Sequence, residues 1–311
     1  MKCLIIDIVD SVIETELSRY MQVDTVPVPN SAELAGMIPG YDILVMRVVP
    51  GITREVLDAA DSLKVIAVCS VGLNHIDLEY AKQKGINVFN APGLNGNAVA
   101  ELTISKMLDL SRNTMAANYD VKVNHNWDKY KFVGRELRGR TLGIIGFGRI
   151  GRRVAELARV FGMQVLAYDP YLKAEDFAAG QAKGVSLDEL LQQSDYVTTH
   201  VPLTAETKNI IDARALSLMK PDGVVLHMSR GGVVNEKDIC QALREGRIAG
   251  YASDVLENEL AGGGTNESSF VSPLFELDNF IVSPHIGAQS VDAQRDIGVY
   301  IVGKIRQAVG C

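Results

Sequence analysis

Three polar residues in the second half of the chain, each following a short apolar run, could share one piece of chemistry. They are Arg230 after residues 224–228, Glu259 after 250–254 and His285 after 280–283. Moving a hydride to or from a carbinol carbon requires a proton to move on the attached oxygen, and an imidazole that ionises near neutrality suits that transfer. A carboxylate on the far ring nitrogen fixes the tautomer and stabilises the imidazolium. A guanidinium can grip a substrate carboxylate through two parallel hydrogen bonds and polarise the adjacent carbonyl. Spacing alone leaves other readings open: a structural ion pair for Arg230, a surface acid for Glu259, a satisfied strand-end residue for His285.

Such residues act together only if a scaffold brings them to one edge. Short β-rich apolar runs alternate with helical patterns almost throughout, which predicts an α/β fold of parallel sheets covered by helices. In open sheets of that kind ligands bind beyond the carboxyl ends of the strands, so all three residues are expected to face one crevice. The first half offers strands at 2–9, 43–48, 65–68 and 87–90, with helices such as 53–60 and 78–84 between them. A long helical stretch runs from about 97 to 125. A second unit offers strands at 142–145, 165–168, 196–201, 224–228, 250–254 and 280–283. The last helix, 288–309, follows completion of the second sheet and is expected to pack back on the first unit. The expected division is therefore 1–96 with 286–311, and 97–285: two Rossmann-like doubly wound domains, the first discontinuous and flavodoxin-like.

The strand at 142–145 ends in the run GFGRIG and passes directly into a helical pattern. Gly146 permits a tight strand-to-helix turn, Gly148 lets backbone approach a pyrophosphate, and Gly151 lets helix and strand pack closely. The helix start offers unpaired N–H groups and a partial positive charge, which suits a diphosphate. A second strand follows and ends in Asp169, 18 residues beyond Gly151, close to the offset at which an acid meets a ribose diol. The run reads as a dinucleotide site, and Asp169 favours NAD over NADP because it would repel a 2′-phosphate. A merely structural turn and a solvated strand-end acid are the plainer alternatives.

The 311 residues, 47% hydrophobic and 22% charged, suffice for two ordinary domains. A formal charge of −7 argues against a nucleic-acid surface. Cys3, Cys69, Cys240 and Cys311 are scattered with no CxxC pair, so neither a disulfide framework nor a zinc site is expected. No HExxH or EF-hand pattern suggests another metal. No apolar run approaches membrane-spanning length and no leader is visible, so no membrane partner and a cytoplasmic location are expected. The run 261–269, AGGGTNESS, reads as an exposed loop.

The chain also resembles the D-isomer-specific 2-hydroxyacid dehydrogenases over nearly its whole length, most closely those members that act on 3-phosphoglycerate. The likeness rests on VGLNHIDL (71–78), FNAPGLNGNAVAEL (89–102), WDKYKFVGRELRGRTLGIIGFGRIG (127–151), HVPLTAETKNII (200–211), MSRGGVVNE (228–236) and SPHIGAQSVDAQ (283–294). It implies NAD-dependent interconversion of a small anionic 2-hydroxy acid and its 2-keto acid. Arg230 would bind the substrate carboxylate and carbonyl, and His285 would be the acid/base. Glu259, chosen over Glu257 by its distance from Asp254, would be its partner. Backbone N–H groups at Ser70, Val71 and Gly72 would cradle the carboxylate, and Arg47 would meet a substrate phosphate. Arg149 and Ile150 would lie at the pyrophosphate, with Asp169 on the ribose. His200, Pro202 and Thr207 would border the adenine and nicotinamide ribose. Asp254 would lie near the nicotinamide, and Ser229 and Gly287 also join the cofactor set. A homodimer built around 97–130 is implied. Glyoxylate, hydroxypyruvate or D-lactate reductases of the family share the catalytic trio, and some relatives are NAD-responsive corepressors. Because the chain stops after the last core helix, no serine feedback through an added regulatory domain is expected.

Departures from the family pattern stand at His227, usually asparagine; Asn235, usually aspartate; and Leu260, usually proline. The insert that follows Leu260 leaves the geometry of Glu259 open. For His227 a packing role is expected over tuning of the cofactor pocket or proton carriage. His75 and His125 are expected to be structural or surface residues, and Cys69 a small core residue.

Overall fold

The computed structural model describes residues 1–259 and 271–310; the expected loop at 261–269, Leu260 and Cys311 lie outside the described residues. The chain forms two compact units, residues 1–95 with 288–311, and residues 96–287. The N-terminal part of unit 1 runs β1 (Lys2–Ile5), α1 (Val12–Leu17), β2 (Gln22–Thr25), α2 (Ser31–Met37), β3 (Ile43–Met46), α3 (Arg54–Ala59), β4 (Val65–Val68), α4 (Leu78–Gln83) and β5 (Asn87–Asn90). Unit 2 opens with α5 (Gly96–Arg112) and α6 (Thr114–Asn124), then β6 (Thr141–Ile145), α7 (Arg149–Val160), β7 (Gln164–Tyr168), α8 (Ala174–Ala179) and β8 (Lys183–Gly184). It continues with α9 (Leu187–Gln193), β9 (Tyr196–Thr199), α10 (Ala213–Leu218), β10 (Val224–His227), α11 (Glu236–Arg244), β11 (Gly250–Ser253) and β12 (Phe280–Val282). The chain then returns to unit 1 as α12 (Val291–Val309).

Among the described residues the sheet of unit 1 has the order β2-β1-β3-β4-β5, and that of unit 2 the order β12-β11-β10-β9-β6-β7-β8. Every ladder is parallel. Each unit is thus a doubly wound α/β domain, as the alternation of runs predicts.

Burial on both faces explains the strand sequences. ILVM in β3 and VIAV in β4 are buried at every position. Cys3, Ile5, Val45, Val65 and Ala67 point to one face, where Ile297, Ile301 and Ile305 of α12 cover them. Leu4, Leu44, Met46, Ile66 and Val68 alternate to the other, against Leu34, Val56 and Leu57. In unit 2, Ala100, Ile104 and Met107 of α5 join one core with Val154, Ala155 and Ala158 of α7. The opposite face packs Ile145, Val197, Val225 and Tyr251 against Leu190, Leu216 and Leu243.

Two details differ from the sequence reading. The stretch expected as one helix from 97 to 125 is two, because Asn113 takes a left-handed conformation (φ 53°) between α5 and α6; Asn tolerates that region better than most residues. And two strands, β2 (QVDT) and β8, lie outside those expected because each is an edge strand whose residues are exposed or half-buried, so neither needs an apolar run.

Candidate active site

The Gly-rich turn is built by close approach. Gly146, at φ +90°, donates its N–H to Tyr168 O at 2.9 Å. A Cβ there would sit 2.7 Å from His200 O and 2.6 Å from Val201 Cγ1. A Cβ at Gly151 would collide with the carbonyl of Gly146. Gly148 differs: nothing lies within 4 Å of where its Cβ would be. That open space, at the first turn of α7, fits a diphosphate. Arg149 is exposed and Ile150 half-buried beside it. Asp169 turns back onto the turn, Oδ2 accepting from Phe147 N–H at 3.0 Å and Oδ1 from Tyr171 N–H at 3.1 Å. Carboxylate oxygens have lone pairs to spare, so this acid can also take a ribose hydroxyl.

The strands that carry the trio end level. His227 pairs in register with Thr199 and Ser253, and Ser253 with Val282. Beyond them Asp254, 4% exposed, fixes the turn that holds His285. Its Oδ1 accepts from Ser283 Oγ–H at 2.6 Å and Ile286 N–H at 2.9 Å, its Oδ2 from Gly287 N–H at 2.7 Å, and its carbonyl from His285 N–H at 2.8 Å. A Cβ at Gly287 would come within 3.0 Å of that carboxylate. The bonds hold His285 at φ 52°, a backbone state that costs about 1–3 kcal/mol and persists only when its surroundings over-determine it. His285 Nδ1 meets both Glu259 oxygens at 3.1 Å, while the histidine side chain stays 44% exposed. Nε2 is thereby left as the nitrogen for exchanging a proton. Arg230 is exposed, its Nη1 donating to Ser229 O at 2.7 Å.

Behind this edge lies a buried polar layer. His227 is 2% exposed; its Nδ1 lies 2.8 Å from Thr199 Oγ1 and 3.3 Å from Ser229 Oγ, and those two hydroxyls are 2.9 Å apart. His200 Nε2 lies 3.0 Å from Thr198 Oγ1. Burial pushes His227 down to about 4 and His200 to about 3, so both rings are neutral at physiological pH. His227 Nε2 and His200 Nδ1 are buried without a partner among the described residues. A sealed neutral ring fits packing, not proton carriage. Pro202 is exposed and its carbonyl accepts from Thr207 Oγ–H at 2.5 Å.

In unit 1, just past β4, Ser70 O accepts from Ala91 N–H at 3.1 Å; its Oγ donates to Gly72 O at 3.2 Å, and Val71 O accepts from Asn90 Nδ2 at 2.5 Å. No atom lies within 4 Å of a Cβ built at Gly72. Arg47 donates its N–H to Asp7 Oδ2 at 3.2 Å and its Nη1 to Gln289 Oε1 at 3.1 Å; with its amide turned, Gln294 accepts from both Nη atoms at 3.2 Å. The two amides thus orient the guanidinium. Cys69 is buried, which pushes its thiol up to about 12, and Cys3 and Cys240 are buried too. Among the described residues no cluster of His, Cys, Asp or Glu could hold a metal, and no helix is long and apolar enough to cross a membrane.

Sequence reading missed Ser283, Thr199, Glu236 and Glu257 as contributors. Their only signal was position, at the carboxyl end of a strand for Thr199 and in the connection beyond one for the others.

Residues 104–287 match the family model described as D-isomer specific 2-hydroxyacid dehydrogenase, NAD binding domain. A D-3-phosphoglycerate dehydrogenase of Methanocaldococcus jannaschii is 40% identical over 281 residues, covering 89% of this chain and 51% of that protein. A hydroxypyruvate reductase of Thermotoga maritima is 38% identical over 89% of this chain and 88% of its own length. A crystal structure of D-lactate dehydrogenase from Aquifex aeolicus, complexed with NAD and lactic acid, is 31% identical with a TM-score of 0.81, covering 99% of this chain and 95% of that one. The chain spans about half the length of the D-3-phosphoglycerate dehydrogenases it matches.

Proposed function

The chain belongs to the D-isomer-specific 2-hydroxyacid dehydrogenase family, and on that premise we propose that it interconverts a D-2-hydroxy acid and its 2-keto acid with NAD(H). The observation that carries this is the His285–Glu259 pair, set by Asp254 at the carboxyl edge of a sheet whose first turn is GFGRIG. In the reductive direction Arg230 grips the substrate carboxylate, and His285 gives a proton from Nε2 to the carbonyl oxygen. Glu259, on Nδ1, fixes the tautomer and stabilises the imidazolium. A nicotinamide, when bound, would supply the hydride. Asp169 holds the adenosine ribose and disfavours a 2′-phosphate, which selects NAD.

The substrate pair we favour is 3-phosphoglycerate and 3-phosphohydroxypyruvate, the serine-forming branch. Arg47, oriented by Gln289, supports it, as does the likeness to the D-3-phosphoglycerate dehydrogenases. A second reading, an unphosphorylated hydroxypyruvate as substrate, is favoured by the Thermotoga relative, which matches over most of its own length. A homodimer is supported by apolar side chains left in water between α6 and β6, with Trp127 86% and Val133 78% exposed.

NADH oxidation with 3-phosphohydroxypyruvate, hydroxypyruvate, glyoxylate and pyruvate side by side tests the proposal. A kcat/KM at least about tenfold higher for the phosphorylated acid, about 1.4 kcal/mol, supports the serine branch; preference for a bare acid reassigns the substrate. Arg47→Ala should harm the phosphorylated acid far more than the others, and equal losses would remove the phosphate role. NADH affinity without turnover of any acid would point to a corepressor-like binding protein.

A further inference from the structure

Arg230 and Glu259 ride on separate loops, one after β10 and one after β11. Their productive spacing needs something to hold the loops together, and two independent contacts do so. Gly231, next to Arg230, lies against the backbone of the other loop: a Cβ there would collide with Leu256 O and sit 2.9 Å from Glu257 Cα. Five residues on, Glu236 opens α11. Its Oε1 accepts from Glu257 N–H at 2.6 Å, and Glu257 Oε1 accepts from Glu236 N–H at 3.3 Å. The stretch from Arg230 to Glu236 is itself tied down, Val233 N–H to Arg230 O at 3.2 Å and Asn235 N–H to Ile211 O at 2.9 Å.

We infer that Glu236 is a positioning residue: by clasping the backbone of Glu257 it locks the Glu259 loop to the Arg230 loop and sets the substrate-gripping guanidinium against the His285–Glu259 pair. Two glutamates two residues apart thus have different work, Glu259 on the imidazole and Glu257 on the clasp. The carboxyl group of Glu236 serves as an acceptor, not as a charge. It is half-buried, and desolvation together with the facing Glu257 raises it above the usual carboxylate range. Removing the charge while keeping the oxygen should therefore cost little.

The inference rests on the dehydrogenase reading, and the test separates the two. Wild-type turnover of the four keto acids scores the reading. Amide exchange at Glu257, followed by mass spectrometry or NMR, scores the clasp without any turnover: Glu236→Ala should strip its protection, and Glu236→Gln should keep it. In steady-state kinetics Glu236→Ala should lower kcat/KM for the best keto acid by about 10–100-fold, with both kcat and KM affected. NADH affinity, measured by fluorescence, should stay within about twofold, and Glu236→Gln should recover activity to within about threefold of wild type. Wild-type kinetics in Glu236→Ala, equal damage in Ala and Gln variants, or a parallel loss of NADH affinity would each overturn the proposal. If Glu236→Ala does not fold, Glu257→Ala removes only the longer of the two bonds and should cost about threefold in kcat/KM; no cost there overturns it as well.

Discussion

The two units place their first strand alike and use the turn after it differently. β1 lies between β2 and β3, and β6 between β7 and β9, so each begins at the point where the strand order reverses. That is where open α/β sheets bind ligands. In unit 2 the turn is glycine-rich, opens onto the twelve-residue helix α7 and leaves space above Gly148. In unit 1 the turn from Ile6 to Ser11 has no glycine, and the cavity of about 380 Å3 beside it includes Asp7, Asp10 and Glu14 in a lining that is otherwise mostly apolar. Its helix α1 has only six residues. Topology supplies the place; the turn residues decide whether an anion is welcome there. The cation at the switch point of unit 1 is a side chain, Arg47, borne at the end of β3 and bonded through its backbone to Asp7.

The contrast can be broken most severely at Gly146. Ala there forces a side chain into φ +90° against His200 and Val201, and strain plus overpacking should cost about 2–5 kcal/mol, read as a lower urea midpoint together with loss of NADH binding. Next comes Asp169→Ala, which removes the ribose acid and the acceptor of Phe147 N–H. NADH affinity should fall about tenfold, roughly 1.4 kcal/mol, while discrimination against NADPH narrows; unchanged cofactor preference would sink the role of Asp169.

A smaller effect concerns acid. The folded state holds His227 at about 4, below the 6.5 of an unfolded chain. The unfolded state therefore takes up protons first, and stability present above pH 6.5 declines toward pH 4. Urea midpoints across that range should fall less steeply in His227→Asn than in wild type; parallel slopes would contradict a neutral buried ring. The smallest effect sharpens the contrast from the other side. Asp10→Ala removes a carboxylate that accepts from Val12 N–H at 2.8 Å, which should cost about 0.5–1 kcal/mol of stability and leave NADH affinity unchanged.

What could be read from the sequence follows from where the constraint was local. ILVM and VIAV declare themselves because strands covered on both faces must be apolar at every position; QVDT of β2, at an edge, carries no such obligation. The left-handed Asn113 that divides α5 from α6 is one residue's backbone choice and leaves the helical pattern on either side intact. GFGRIG was legible because steric approach admits only glycine at Gly146 and Gly151. The pairing of His285 with a carboxylate was not legible from spacing, since Glu257 and Glu259 both lay in reach and the loop path alone separates them. Family likeness pointed to Glu259. The Asp254 bonds and the Glu236 clasp join residues whose types are ordinary, and only their placement at adjoining strand ends gives them meaning.

The division of unit 1 between the two ends of the chain has a consequence in time. Ile297, Ile301 and Ile305 cover the face formed by Cys3, Ile5, Val45, Val65 and Ala67, and all of unit 2 is synthesised between them. At ordinary elongation rates that interval is about 10–40 s. During it the nascent N-terminal sheet presents one bare apolar face, while unit 2 can complete its own core. Translation speed and chaperone supply should therefore affect how much of this chain reaches its native state.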